Sequence, residues 1–125
     1  MSSHVMLVLT NAQPGEDDEF NRWYDEQHVT DVLGQGPFTS VRRFRLADGD
    51  GSDAPYRYLA VYDIEEGKLD DARAWLLWSR TEREEALAAG RDPRVPVSPT
   101  LADGREAWFF EAITERSTDT LQALG

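Results

Sequence analysis

Cysteine is absent from this chain of 125 residues. Disulfide bonds, iron–sulfur clusters and cysteine–zinc sites are therefore excluded, and a reducing compartment does not affect the covalent structure. Apolar runs long enough to cross a bilayer are also missing. The apolar run near the N-terminus has only about six residues and a weakly basic flank, unlike a secretory signal peptide. We therefore expect a soluble cytoplasmic protein that does not contact membranes.

Basic charge is also scarce. The chain has 13 lysine and arginine residues against 24 aspartate and glutamate residues, a net charge of −11. A nucleic-acid binder needs a concentrated basic surface to neutralise phosphates, whereas the densest basic group here is Arg42, Arg43 and Arg45 on one short strand pattern. We predict that nucleic acids are not partners and that the acidic charge keeps the surface solvated.

Hydrophobic periodicity predicts two helices and four strands. The helices are expected at about Glu16–His28 and Lys68–Ala89. The strands are expected at Val5–Thr10, Phe38–Ala47, Tyr56–Ile64 and Glu106–Thr114. This βαββαβ order is the split βαβ arrangement of ferredoxin-like domains. We therefore predict a single α+β domain over residues 1–125, with a four-stranded antiparallel sheet and two helices on one face.

Both faces of the predicted sheet carry bulky apolar groups. In the last strand, Trp108 and Phe110 alternate with Phe109 and Ile113. Two helices cover only one face, and an exposed apolar face of this size normally marks an interface or a pocket. We therefore expect a homodimer in which two sheets pack face to face about a two-fold axis.

Two segments outside the predicted elements complete the domain. Residues 91–104 form a long loop with three prolines, and loops of this length often act as lids or as arms that contact a partner. Residues 115–125 form a polar C-terminal tail. The turn at Asp48–Asp53 superficially resembles a calcium loop, but its glycine is misplaced and Leu59 replaces the closing glutamate. With two histidines and no cysteine, we predict no metal site.

The segment that begins at Asn21 and ends at Leu33 carries the densest set of candidate catalytic residues. His28 titrates near neutral pH unaided. If the helix continues, Asp31 shares its face, so a carboxylate could orient the ring and leave the other nitrogen free for proton transfer. Tyr24, four residues earlier, could donate to an oxyanion or a carbonyl. The alternative is that His28 only caps helix carbonyls.

Aromatic residues elsewhere are candidates for the walls of a pocket that takes a small hydrophobic or aromatic substrate. The set is Trp23, Tyr58, Tyr62, Trp75, Trp78 and Trp108. Arg43, a charge within an apolar strand, either binds a polar group of the substrate or pairs with another charge such as Glu111. His4, near the chain end, is either a second acid/base or a solvated side chain.

The string Trp23-Tyr24-Asp25-x-x-His28-x-x-Asp31-Val32-Leu33, followed by Gly36-Pro37-Phe38, resembles the EthD-like branch of the dimeric α/β-barrel proteins. The resemblance implies a ferredoxin-like protomer whose sheet pairs with a second copy to form a barrel, with a pocket in each protomer. Members include cofactor-free dehydratases, cyclases, isomerases and monooxygenases, and also heme enzymes. By similarity, the helix-end histidine and aspartate correspond to His28 and Asp31. The loop 91–104 and the two tryptophans of the second helix match no motif of the family.

The leading hypothesis is a cofactor-independent lyase, cyclase or isomerase that acts on an aromatic or polyketide-like small molecule. In this hypothesis His28, oriented by Asp31, moves a proton and Tyr24 stabilises the developing enolate. The alternatives are a cofactor-free monooxygenase of the same fold and a non-catalytic dimer that binds small molecules. We predict no cofactor, because nothing besides His28 indicates a heme pocket.

Overall fold

The computed structural model describes residues 3–49 and 52–119. Strand β1 (His4–Thr10) leads into one uninterrupted helical segment, which consists of α1 (Asp17–Trp23), a π-helical turn (Tyr24–His28) and α2 (Val29–Gln35). The remaining elements are β2 (Phe38–Arg45), β3 (Tyr58–Ile64), α3 (Leu69–Ala88) and β4 (Glu106–Glu111). The predicted element order is confirmed, although β2, β3 and β4 are each shorter than expected.

The four strands form one antiparallel sheet in the order β2-β3-β1-β4. Side chains alternate across it, so every second residue of β3, from Tyr58 to Ile64, is buried against the helices. The helical layer contributes Phe20, Tyr24 and Val32 from the first segment and Ala72 from α3. The core therefore lies between the sheet and the helices.

The first helical segment is longer than the sequence predicted. We expected it to end near His28, but it continues to Gln35 and ends at Gly36, whose backbone is extended. Gly34 weakens a helix by about 1 kcal/mol relative to alanine, and burial of Val32 against the core outweighs this cost. At the other end of the segment, the acidic residues in the first turn of α1 stabilise the helix through their interaction with the positive end of its dipole.

Gly36 permits a close contact that helps to build the site. A Cβ atom at this position would lie 2.6 Å from the Phe38 ring and 3.2 Å from Trp75. The Phe38 ring packs edge-on against Trp75 and tilted against Tyr62, both at 5.5 Å between centroids. The missing side chain thus lets the helix end approach the aromatic cluster that holds Trp75 over the sheet.

The second face of the sheet has no covering layer among the described residues. Phe44, Trp108 and Phe110 are 39%, 54% and 53% exposed on this face. The β1–β4 register places Trp108 beside Leu7, and Phe110 beside Val5. A contiguous apolar surface is therefore open to solvent in the single chain.

The loop 91–104 packs against its own chain. Glu82 on α3 accepts hydrogen bonds from the Arg91 guanidinium at 2.6 Å and from the Arg94 backbone N–H at 2.7 Å. The loop residues Val95 and Leu101 are buried in the core. The loop thus forms a side wall of the core. The predicted tail at 115–125 is described only as far as residue 119, and the rest of it lies outside the described residues.

Candidate functional site

A cavity of about 70 Å³ opens between the sheet and the helical layer, with room for several water molecules or one small organic group. Its apolar walls include side chains from β1, β3, α3 and the loop 91–104, namely Met6, Val8, Tyr62, Trp75, Leu76 and Val95. Its charged lining consists of Arg80, Arg83, Arg105 and Glu106. Tyr24 and His28 enter from the π-helical turn.

His28 is the histidine that lines this cavity. Its ring lies 4.8 Å from both Trp23 and Tyr24. Its Nδ1 atom is buried and has no hydrogen-bond partner. Burial lowers the pKa of His28 to about 4, helped by the positive charges of Arg83, Arg105 and Arg43. The ring is therefore neutral at neutral pH and can accept a hydrogen bond or a proton.

Asp31 does not make the expected hydrogen bond to His28. Its carboxylate accepts a hydrogen bond from the Gln27 side chain at 3.3 Å instead, and it does not line the cavity. Asp31 lies in the first turn of α2, directly after the π-helical turn that carries His28, and its carboxylate takes a partner on its own helical segment. Asp31 therefore does not fix the tautomer of the ring.

Tyr24 and Tyr62 place two phenol groups beside the imidazole. Burial raises the pKa of both, so both are neutral hydrogen-bond donors at neutral pH. The Tyr62 hydroxyl is buried without a hydrogen bond of standard geometry, and the Tyr24 hydroxyl is near enough to contribute to the raised pKa of Tyr62. A neutral proton acceptor and two donors therefore share one small space.

Arg43 was expected either to bind a polar group of the substrate or to pair with another charge, and its guanidinium is engaged within the protein. It donates to the Asp25 carboxylate at 2.7 Å and to the Asn21 side-chain oxygen at 2.9 Å. The same group lies 4.2 Å from the centroid of the Tyr24 ring and does not line the cavity. Arg43 thus holds the Tyr24 ring in place through a cation–π contact.

Four of the predicted wall residues lie outside the cavity lining. Trp23 packs on His28 without reaching the cavity, and the Tyr58 hydroxyl donates to Asp17 at 2.6 Å. Trp78 is 42% exposed on α3, and Trp108 is on the open face of the sheet. Both faces of the sheet are apolar, so strand alternation alone did not show which face forms the pocket.

The cavity lining also contains three arginines that were not predicted, Arg80, Arg83 and Arg105. Arg80 and Arg83 follow Leu76 along the same face of α3, and Arg105 immediately precedes β4. Burial lowers the pKa of Arg83 and of Arg105, and the neighbouring arginine charges lower both further. The helical spacing of Arg80 and Arg83 after Leu76 could have indicated that both lie on the cavity face of α3. The position of Arg105 depends on the tertiary fold and could not be inferred from spacing.

Two further properties concern the described part of the chain. Within residues 3–49 and 52–119, no group of three or more metal-ligating side chains occurs. In the same residues, no helix is both long and apolar enough to cross a membrane. The cavity of about 70 Å³ is smaller than most ligand pockets, which measure roughly 300–1,000 Å³.

No protein-family model matches the sequence, and a search of curated proteins finds no match. The structure resembles the heme-degrader MhuD from Mycobacterium tuberculosis, which was solved with two hemes in its active site. The identity is 17%, the match covers 91% of this chain and 99% of that chain, and the TM-score is 0.54.

Two other solved structures are similar. A proposed antibiotic biosynthesis monooxygenase from Bordetella bronchiseptica has 17% identity, coverage of 90% and 100%, and a TM-score of 0.52. An EthD-like protein from Ralstonia eutropha has 14% identity, coverage of 94% and 98%, and a TM-score of 0.51. These similarities show the fold, which is the ferredoxin-like α+β fold that EthD-like proteins share, as the sequence predicted.

Proposed function

We propose that the protein is a cofactor-independent acid–base enzyme, a lyase, cyclase or isomerase, that acts on a small aromatic or polyketide-like molecule in the cavity. The observation that carries the proposal is the neutral, buried His28 ring with an unpartnered Nδ1 atom beside two neutral phenols. An unsatisfied buried polar group costs about 1–3 kcal/mol. A substrate that hydrogen-bonds to this nitrogen removes the cost, which favours a ligand here over simple packing.

In the proposed reaction, His28 accepts a proton from carbon or oxygen of the substrate and returns it at another position or to a leaving hydroxide. Tyr24 and Tyr62 donate hydrogen bonds to the oxyanion that forms. The low pKa makes the free ring a weak base. Negative charge on the substrate offsets the nearby arginine charges and raises the pKa of His28, so basicity increases when substrate binds.

The test is turnover by purified variants, after substrates have been found by screening phenols and polyketide fragments. A positioned general base contributes roughly 10²–10⁴-fold, so we expect His28→Gln to lose that factor. His4→Gln is the matched control, because His4 lies outside the cavity lining. Asp31→Asn should retain most activity, since Asp31 bonds to Gln27. Full turnover by His28→Gln would exclude the proposed mechanism.

A cofactor-free monooxygenase is the second candidate, supported by the structural similarity to the proposed monooxygenase from Bordetella bronchiseptica. Oxygen consumption during turnover separates the two activities, because the acid–base reaction consumes none. Heme use is tested by titration, and a Soret band that shifts and sharpens when the protein is present would contradict the cofactor-independent proposal. Tight ligand binding without any product would instead favour a binding protein.

We further propose that the protein is a homodimer that pairs through the open face of the sheet. The exposed side chains of Phe44, Trp108 and Phe110 support this pairing. Sedimentation velocity should give a dimer for the wild type, a monomer for Trp108→Glu, and a dimer for the control Trp78→Glu, which alters an exposed tryptophan on α3. A monomeric wild type at micromolar concentration would contradict the pairing.

A further inference from the structure

Positive charge is concentrated at the cavity of a chain that is strongly acidic. The charged lining contains three arginines, Arg80, Arg83 and Arg105, and one carboxylate, Glu106. Acidic residues outnumber basic ones by 24 to 13. Nevertheless, within the described residues none of the three arginines has a carboxylate within the 4.0 Å limit of an ion pair. Asp103 acts on Arg105, and Glu82 and Glu84 act on Arg83, only through charge interactions beyond ion-pair distance.

Arg83 gives the clearest indication that a partner is missing. Its side chain is partly buried, and its Nε atom is buried without a hydrogen bond. The nearby Glu82 carboxylate is already engaged by Arg91 and by the Arg94 backbone. Other partly buried arginines of the chain have acceptors, as Arg43 does. A buried guanidinium N–H without an acceptor, as at the Arg83 Nε atom, is unfavourable unless a ligand supplies one.

We propose that Arg80, Arg83 and Arg105 form an anion-binding site that selects substrates with a carboxylate group. The inference rests on the proposed function of the cavity as a substrate site. A guanidinium matches a carboxylate in shape and binds it through two parallel hydrogen bonds. With its carboxylate on the arginines, the rest of the substrate extends towards His28 and the two phenols, and a carboxylate is compact enough for the small cavity.

The site can be tested by binding alone, without a known substrate. The probes are benzoate and acetate, with the uncharged benzamide and acetamide as matched pairs, measured by calorimetry and by amide chemical shifts. Net hydrogen bonds to a charged group correspond to a preference of about tenfold or more. We expect this preference in the wild type, its loss in Arg83→Gln, and its retention in Arg73→Gln, where the altered arginine pairs with Asp70 on the exposed surface.

Two further variants keep the test decisive if Arg83→Gln does not fold, as judged by circular dichroism. Arg83→Lys should keep part of the preference, because the charge remains but the two-point geometry is lost. Arg105→Gln, outside any helix, should reduce it. Equal binding of acids and amides, no binding of either, or an unchanged preference in the folded Arg83 and Arg105 variants would overturn the site. Inorganic phosphate that binds more tightly than benzoate would overturn the choice of carboxylate.

The two proposals fail in different ways. His28→Gln removes the proton acceptor but none of the arginines, so it should retain the preference for benzoate over benzamide. If that variant also retains turnover, the acid–base proposal is wrong while the anion site stands. If the wild type shows no preference for acids, the anion site is wrong while the role of His28 is unaffected.

Discussion

Burial of a neutral His28 should make folding stability depend on pH in a window where few other groups titrate. The pKa of the ring is about 4 in the folded chain and 6.5 as the ordinary value. Between these values the unfolded chain binds more protons than the folded chain, so stability falls as pH decreases. The loss of stability is small at pH 6.5 and negligible well above it. It amounts to about 2 kcal/mol at pH 5 and about 3 kcal/mol at pH 4.

The assay is urea unfolding of the wild type and of His28→Gln at pH 7, 6 and 5, at one fixed protein concentration. The variant lacks the titrating ring, so the difference in unfolding free energy between pH 7 and pH 5 should be about 2 kcal/mol smaller than in the wild type. Carboxylates contribute little above pH 5, and their contribution is common to both proteins.

A direct titration of the ring by NMR supplies the second readout. The His28 signals should remain those of a neutral imidazole down to about pH 5 and titrate near pH 4. Bound benzoate should move the midpoint upwards, because a negative charge favours the imidazolium ion. Equal loss of stability in both proteins, or titration of His28 near pH 6.5, would refute the inference that the ring is buried and neutral.

Three other substitutions test the packing around the site. Tyr62→Phe removes a buried hydroxyl without a standard hydrogen bond. The unfolding free energy from thermal unfolding should therefore be unchanged or higher by up to about 1 kcal/mol. A clear loss of stability would show that the Tyr62 hydroxyl has a hydrogen-bond partner in the protein. Gly36→Ala forces a Cβ atom against the packed Phe38 ring and should cost about 1–3 kcal/mol in urea unfolding, whereas a neutral effect would mean the ring moves freely. Glu82→Ala releases the loop 91–104, so trypsin should cleave the loop faster than in the wild type; equal rates would mean that other contacts hold it.

Much of the fold could be predicted from the sequence because strand alternation and helix spacing report directly on burial. The strand predicted at Tyr56–Ile64 alternates between buried and partly exposed residues in the structure, with Tyr58 and Tyr62 on the buried face. The first helix was expected to end near His28, and Gly34 and Gly36 are local signals for such a break. Local breaking signals at that point compete with burial of Val32, a tertiary effect.

The site was harder to predict than the fold. His28, Tyr24, Tyr62 and Trp75 could each be assigned to a helix or strand from the sequence, and the structure places all four in the lining of one cavity. The hydrogen-bond partners of His28 could not be predicted in the same way, since Asp31 bonds to Gln27 and spacing alone does not decide between such partners. Arg105 lies outside every helix and strand, so no periodic pattern could place it at the cavity.

The π-helical turn at Tyr24–His28 has a consequence for how this chain should be compared with its relatives. Phe20 and Val32 are twelve residues apart. In a regular helix of 3.6 residues per turn, their side chains would therefore point in directions about 120° apart. Both side chains are nevertheless buried. The π-helical turn contains more residues per turn, so it offsets the rotation in the same way as the insertion of one residue into an α-helix. A homologue with an uninterrupted α-helix here needs a one-residue gap in the alignment. Without that gap, the column assigned to His28 would compare a cavity residue with a solvent-facing one.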